Sequence, residues 1–162
     1  WNIIACGPRN AAFDAFRTAL RTHTDAFNIL LVDGEGPVNR TPWEHLKKRD
    51  GWDRPGVPDE QCHLMVQMME AWIVADINAI ESYYGTGFRR HAIPSRNDVE
   101  AIDKATLERS LDNATRYTRK GLYHKIHHGS ALLCRINPEI VRSKAPHCER
   151  LFATLETKIG DD

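Results

Sequence analysis

Short apolar runs alternate with stretches of helical spacing along the first half of the chain, and this pattern predicts an α/β fold. The predicted strands lie at residues 2–6, 28–32 and 63–67. The run at 28–32 is apolar without alternation, which is typical of a parallel strand covered on both faces. Phe13, Phe16 and Leu20 recur at helical spacing between the first two runs. A strand, a helix and a strand within about thirty residues predict a parallel βαβ unit.

The second half of the sequence predicts mainly helices. Predicted helices cover 68–75, 77–84 with Asp76 as the cap, 104–116, 124–135 and the final segment around Leu151. The segment 36–60 is a long, proline-rich connection with one helical turn at Pro42. We expect one domain over 1–162, with a small parallel sheet and flanking helices in 1–84 and a mainly helical part in 85–162. Because the sequence opens inside a predicted strand, we also expect that the first strand of the fold is missing.

The composition is that of an ordinary soluble protein, with 162 residues, 41% hydrophobic and 27% charged. No apolar stretch is long enough to span a membrane, and no signal-peptide pattern is present. The four cysteines show no paired spacing, and Cys6 and Cys134 lie in apolar segments. We therefore expect buried, reduced thiols and a cytoplasmic location. The formal net charge is zero, so the overall charge indicates no particular class of partner.

Two carboxylates follow the second predicted strand, in the segment Asp33-Gly34-Glu35-Gly36. Ligands of open parallel sheets bind beyond the carboxyl ends of the strands. Residues i and i+2 of an extended segment lie on one side, so Asp33 and Glu35 are expected to share an ion. Magnesium is commonly held by one or two carboxylates together with phosphate and water. The alternative is an acidic turn that only ends the strand.

Glu70 follows the third predicted strand and is expected near the same sheet edge as Asp33. It is a candidate third metal ligand or general base. The alternative is a carboxylate in a first helical turn, where it complements the helix dipole. Met68 and Trp72, beside it, are predicted to be core residues.

A basic segment in the second half is a candidate nucleic-acid interface. It contains Arg116, Arg119, Lys120, Tyr123 and Lys125 and no acidic residue. The cations would neutralise phosphates, Tyr123 would stack on a base, and a lysine near a metal would stabilise phosphoryl charge. The alternative is a solvated helix entry.

A zinc site is a further alternative. His124 and His128 have the i, i+4 spacing of a ligand pair, and His147-Cys148 or Cys62-His63 would complete it. Structural zinc sites usually show two closely spaced ligand pairs. Only one such pair is well spaced here, which makes this alternative the weaker one.

The chain resembles the Toprim catalytic domain, the metal-binding domain of topoisomerases, primases and related nucleases. It is most similar to an uncharacterised bacterial Toprim-like family that is a domain of unknown function. The resemblance is carried by the segments 5–13, 30–38, 42–46, 51–53, 63–72 and 120–125. It implies that Asp33 and Glu35 form the Toprim acid pair, with Glu in place of the usual second Asp. It also implies a glutamate at the end of an earlier strand, which would lie upstream of Trp1.

The resemblance implies a nuclease that uses Mg²⁺ or Mn²⁺ to cleave a phosphodiester bond in DNA or RNA. The implied site contains Asp33, Glu35 and Glu70 as metal ligands, with Lys120 or Lys125 assisting. Relatives of this kind often act with ATPases in bacterial defence against phages, so an ATPase is an expected partner. Two alternatives stay open: a non-catalytic interaction subunit using the exposed aromatics Trp43 and Trp52, and a nucleic-acid binder without cleavage.

Overall fold

A computed structural model describes residues 2–160 as a small parallel sheet with helices around it. The strands are β1 (Leu30–Asp33) and β2 (Cys62–Met65). The helices are α1 (Arg9–Thr22), α2 (Pro42–Asp50), α3 (Met69–Ala75), α4 (Ile77–Tyr84), α5 (Lys104–Thr115), α6 (Lys125–Leu133), α7 (Pro138–Arg142) and α8 (Pro146–Gly160). Short 3-10 turns lie at Asp59–Gln61, Arg90–Ala92 and Val99–Ala101. The predicted α/β class is confirmed at this coarse level.

The two strands pair in parallel, with Leu30 opposite Cys62 and Asp33 opposite Met65. This register brings the carboxyl ends of β1 and β2 to one edge. The prediction that β1 is covered on both faces was wrong in part, because Leu31 is 37% exposed while Leu30 is buried. Only one face of β1 packs against the core, whereas Cys62, His63 and Leu64 of β2 are all buried.

The predicted strand at 2–6 is wrong, because that segment forms no strand and Ile3 and Ile4 are 93% and 68% exposed. No strand among residues 2–160 pairs with it. Apolar content alone does not make a strand where no neighbour supplies the hydrogen bonds. The parallel crossover therefore runs from β1 through α2 to β2, and α1 precedes it. Pro42 begins α2 with a Thr41–Glu44 capping box, so the single predicted turn is a full helix.

A first hydrophobic cluster joins the sheet to α1 and α2. Its aromatic residues are Phe13, Phe16 and Trp43, and Trp52 packs against it. Trp43 is only 3% exposed, and the Trp52 ring stacks on Phe13 with centroids 4.4 Å apart. The prediction that Trp43 and Trp52 form an exposed contact surface was therefore wrong. Aromatic rings in a connection are buried wherever the sheet offers an apolar face to cover.

A second, larger cluster lies among the helices that follow β2. Every residue of α3 from Glu70 to Ala75 is buried, so this short helix is central to the cluster. Trp72 and Met68 belong to it, as predicted. The predicted cap of α4 is confirmed, since Asp76 accepts a hydrogen bond from the Ala79 amide at 3.2 Å.

The cysteines only partly follow the prediction. All four are free, and Cys62 and Cys148 are buried, but Cys134 is exposed and Cys6 is half-buried. Cys134 is the residue that directly follows α6. No helix between residues 2 and 160 has both the length and the apolar character of a membrane span.

Candidate functional site

The carboxyl end of β1 and the first turn of α3 meet at Asp33. Its Oδ1 accepts a hydrogen bond from the Met69 amide, with a donor–acceptor distance of 2.8 Å. Its Oδ2 lies 2.6 Å from the Lys125 ammonium. The Asp33 side chain is only 11% exposed. Both carboxylate oxygens are thus held in place, one by the start of α3 and the other by the first residue of α6.

Glu70 lies beside this contact and is almost fully buried. Its Oε1 accepts a hydrogen bond from the Tyr123 hydroxyl at 2.9 Å. Its Oε2 is 3.5 Å from Lys125 Nζ but has no hydrogen-bond partner among residues 2–160. A buried carboxylate oxygen without a full partner is costly. Glu70 therefore has one oxygen available to a further donor or cation.

Lys125 is the shared counter-ion of Asp33 and Glu70. Burial lowers the pKa of its ammonium, but the hydrogen bond to Asp33 and the charges of both carboxylates outweigh burial and raise the pKa above its ordinary value. Met69 of α3 and Gly129 of α6 lie close together, since a Cβ at position 129 would lie 2.8 Å from Met69 Cε. Lys125 therefore stays charged near neutral pH, and its single positive charge is shared between the carboxylates of Asp33 and Glu70.

Tyr123 supports Glu70 as a permanent hydrogen-bond donor. Burial and the neighbouring Glu70 charge raise the pKa of the Tyr123 hydroxyl well above its ordinary value. The hydroxyl is therefore protonated across the usual working range of pH. Its backbone amide is also fixed, because it donates to Thr115 Oγ1 at 2.8 Å. The Tyr123 hydroxyl is engaged with Glu70, and the stacking of its half-buried ring on a base stays a prediction.

Glu35 has a different cationic partner. Its Oε2 lies 2.6 Å from Lys104 Nζ. Burial raises the pKa of Glu35, but the Lys104 hydrogen bond and the charges of Lys104, Arg49 and Arg9 outweigh it and lower the pKa. The backbone at Glu35 has φ 61°, so the alternation of an extended strand does not continue through this residue. That alternation was the basis for expecting Asp33 and Glu35 on one side.

The loop that carries Glu35 is fixed by main-chain contacts. The Gly34 amide donates to Met65 O at 2.8 Å, and the Glu35 amide donates to Gln67 O at 2.5 Å. His45 Nε2 lies 2.8 Å from Gly34 O. The left-handed conformation of a non-glycine residue is uncommon and is often found at functional sites. Here it is held by these contacts to the segment that follows β2 and to α2.

The basic segment predicted from the sequence is only partly at this site. Lys125 and Tyr123 contact the carboxylates, whereas Lys120 lies over the Tyr83 ring at 4.9 Å. Arg116 and Arg119 are exposed. The structure therefore brings Asp33, Glu70, Tyr123 and Lys125 together. It gives Glu35 a separate partner.

The residues of the zinc alternative have other partners. His128 Nδ1 is 2.8 Å from the Tyr84 hydroxyl, His147 Nδ1 is 2.6 Å from Glu100 Oε2, and Arg150 donates to His63. Within residues 2–160, no three His, Cys, Asp or Glu side chains form a group that could hold a metal ion. A metal site with three protein ligands is thus not assembled, either from the histidines and cysteines or from Asp33, Glu35 and Glu70.

Asp33 and Glu70 nevertheless fit a hard divalent cation as a pair. Both supply oxygen ligands, and Glu70 Oε2 lacks a hydrogen-bond partner within residues 2–160. Magnesium sites often use one or two carboxylates and complete the shell with water and substrate phosphate. In the structure the Lys125 ammonium provides the positive charge between these acids.

Sequence reasoning missed two residues of this region, Lys104 and His45. Lys104 is 69 positions from its partner Glu35, and no local pattern links the two. His45 belongs to a predicted helical turn, and its contact with Gly34 depends on how α2 packs. Both residues lie in charged stretches of the sequence, so their residue types gave no signal.

No curated protein and no solved structure matches the chain. A family model described as a domain of unknown function (DUF4276) matches residues 6–156. This match covers most of the 162 residues, and the chain therefore belongs to the DUF4276 family.

Proposed function

We propose that this protein is a Mg²⁺- or Mn²⁺-dependent nuclease of the Toprim-like type, which cleaves a phosphodiester bond in DNA or RNA. The observation that supports the proposal most is the Asp33–Lys125–Glu70 arrangement at the carboxyl edge of the sheet. Lys125 Nζ is 2.6 Å from Asp33 and 3.5 Å from Glu70. Two acids that share one ammonium would also accept a divalent cation, because both arrangements neutralise the same charges.

Asp33 and Glu70 are the residues that would hold the cation. When bound, such a cation polarises a phosphoryl oxygen and lowers the pKa of a coordinated water. Tyr123 would keep Glu70 oriented through its 2.9 Å hydrogen bond. Lys125 would then be free to neutralise charge on the phosphoryl group. Glu35 stays a predicted third ligand, which would have to exchange Lys104 for the metal.

The resemblance of the Asp33-Gly34-Glu35 segment to the Toprim acid pair suggests the same chemistry. An ATPase partner and a role in phage defence stay predictions from that resemblance. The cytoplasmic location also stays a prediction from the composition.

The proposal is tested by incubating the purified protein with plasmid and with end-labelled oligonucleotides in Mg²⁺ or Mn²⁺. Asp33→Asn and Glu70→Gln remove the proposed ligand charges with little change of shape. Glu108→Gln is the matched control, because Glu108 is exposed and has no contact with the site. We expect wild type and the control to cut at equal rates, and each ligand variant to lose on the order of 100-fold or more.

Equal cutting by wild type and Asp33→Asn would contradict the proposal. No cutting by wild type, with binding that weakens as salt rises, would favour a nucleic-acid binder. Neither cutting nor binding, with a stable complex with an ATPase, would favour the interaction subunit.

A further inference from the structure

A cleft lies beside the loop that follows β1, and its lining includes Glu35, which is two residues from Asp33. The cleft has a volume of about 640 Å³. Its polar lining consists of Glu35, Asn39, Arg40, His45, Lys48 and Arg49. It is formed by the loop that follows β1 and by one side of α2, so its position relative to Glu35 is fixed by the main-chain contacts of that loop.

The charges of the cleft are not balanced within the protein. Arg40 and Lys48 are exposed, and neither makes a side-chain hydrogen bond or ion pair within residues 2–160. Arg49 contacts Asp50, but Asp50 is also paired with Arg9. The single acid of the lining, Glu35, is already neutralised by Lys104 at 2.6 Å. The cleft therefore has a surplus of positive charge next to a site where a phosphodiester would be cleaved.

Phosphate is the ligand chemistry that fits this lining. Arginine forks bind phosphate oxygens with two parallel hydrogen bonds, and lysine adds a point charge. No Phe, Tyr or Trp belongs to the lining of this cleft in the described structure, so it offers no ring for a base to stack on. Contacts to the backbone alone position a strand without reading its sequence.

We propose that this cleft binds the phosphates of the nucleic-acid strand that flank the bond to be cleaved, chiefly through Arg40 and Lys48. This inference rests on the proposed function, because the strand is the proposed substrate. It assigns strand binding to α2 and the preceding loop and not to the basic segment around Arg116. Lys125 and Tyr123 of that segment are engaged with the carboxylates, and Lys120 lies on the Tyr83 ring.

The test measures binding without cleavage. The probe is a fluorescein-labelled DNA single strand of about 20 nucleotides, which is longer than the site size of one binding groove. It is titrated with protein in EDTA, and fluorescence anisotropy gives the Kd at each of several salt concentrations. Arg40→Gln/Lys48→Gln is the test variant. Arg96→Gln/Arg109→Gln is the matched control, because both arginines are exposed, lie outside the cleft and the basic segment, and change the net charge equally.

We expect the test variant to bind on the order of tenfold more weakly than wild type at low salt. The slope of log K against log salt is negative, and its magnitude should fall by about 1.4, which corresponds to the loss of two single-strand phosphate contacts. The control is expected to keep the wild-type slope. Thermal unfolding checks that both variants are folded. An unchanged slope in the test variant would overturn the inference, and so would a larger loss in Arg116→Gln/Arg119→Gln or an absence of wild-type binding.

Because EDTA removes the divalent cation, the binding result does not depend on nuclease activity. Binding that requires Arg40 and Lys48, in a protein that never cuts, would support the cleft and contradict the nuclease. Cutting that requires Asp33, together with a normal slope in the Arg40→Gln/Lys48→Gln variant, would support the nuclease and overturn the cleft.

Discussion

Lys125 Nζ lies 2.6 Å from Asp33 Oδ2, which joins two residues that are 92 positions apart in the sequence. Lys125 is the first residue of α6, and Asp33 is the last residue of β1. The same ammonium reaches Glu70 at 3.5 Å. The helical part of the chain thus supplies the positive charge that offsets the repulsion between the two carboxylates at the sheet edge.

Lys125→Met is expected to destabilise the protein in EDTA and to make it respond more strongly to a divalent cation. Without the ammonium, Asp33 and Glu70 repel each other, and we expect a loss of about 1 kcal/mol in the free energy of unfolding. A bound cation would restore the neutralisation. Thermal unfolding in EDTA and in excess Mn²⁺ measures both effects, and the rise in Tm with Mn²⁺ should exceed that of wild type.

Lys47→Met is the control for that experiment. It removes an exposed ion pair with Asp53, which contributes a few tenths of a kcal/mol at most. Its Mn²⁺ response should equal that of wild type. If Mn²⁺ raises the Tm of Lys125→Met and of Lys47→Met by the same amount, the Lys125 ammonium does not occupy the position at which a divalent cation would bind.

Tyr123→Phe tests the support of Glu70. The change removes only the hydroxyl that donates to Glu70 Oε1 at 2.9 Å. Glu70, which is 1% exposed, would then lose the hydrogen-bond donor of its Oε1 without gaining water in exchange. We expect a loss of about 1–3 kcal/mol in the free energy of unfolding, measured by urea denaturation.

Tyr117→Phe is the matched control for the hydroxyl, because Tyr117 is 60% exposed. Its stability should stay within about 0.5 kcal/mol of wild type. A Tyr123→Phe variant as stable as Tyr117→Phe would mean that water replaces the hydroxyl at Glu70.

The parts of the fold that local chemistry specifies could be predicted from the sequence. Asp76 caps α4, and Pro42 begins α2, because side-chain caps and proline act within one helical turn. Asp33 could be placed at the end of a strand because it directly follows an uninterrupted apolar run. These features depend on neighbours in the sequence.

The features that failed depend on residues far away along the chain. The apolar segment at 2–6 has no strand to pair with within residues 2–160. Whether Trp43 is exposed or buried depends on the face that β1 and α1 present. The Glu35–Lys104 ion pair joins residues that are 69 positions apart. The residue type of Glu35 does not indicate its left-handed backbone conformation. Tertiary packing decides all three.

Lys104→Gln is expected to raise the pKa of Glu35. Burial already favours the neutral carboxyl, and the Lys104 hydrogen bond and charge are the largest effects that oppose it. NMR titration of the Glu35 side-chain carboxyl measures the shift directly. Arg109→Gln, on the same helix, is the control and should leave the Glu35 titration unchanged. A titration curve that is identical in wild type and Lys104→Gln would contradict the ion pair in solution.

The same substitution changes stability with a defined dependence on pH. A carboxyl whose pKa is lowered on folding stabilises the protein above its unfolded pKa and loses that contribution as the pH falls through its folded pKa. Wild type should therefore exceed Lys104→Gln in free energy of unfolding near neutral pH. The difference should begin to shrink as the pH falls below the ordinary Glu35 value of 4.5, and it should vanish once the pH is below the lowered pKa of the folded carboxyl.

His63 gives the final prediction, a loss of stability on mild acidification. Its Nε2 lies 2.9 Å from Glu60 O, and Arg150 donates to its Nδ1 at 3.1 Å. Burial and the Arg150 charge lower the pKa of His63 from 6.5 to about 4. The unfolded chain therefore binds a proton between these two values that the folded protein does not bind. The free energy of unfolding should fall by up to about 1.4 kcal/mol per pH unit from this residue.

Urea denaturation at pH 7 and pH 5 measures the effect. His63→Gln is expected to be less stable than wild type at pH 7, because the Arg150 contact is disturbed, but its stability should fall less between the two pH values. His91→Gln removes an exposed histidine and should keep the wild-type pH dependence. NMR of the wild-type imidazole adds a direct reading, since His63 should stay neutral at pH 5. A protonated His63 at that pH would show that the Arg150 contact does not persist in solution, because Nδ1 cannot both carry a proton and accept a hydrogen bond from the guanidinium.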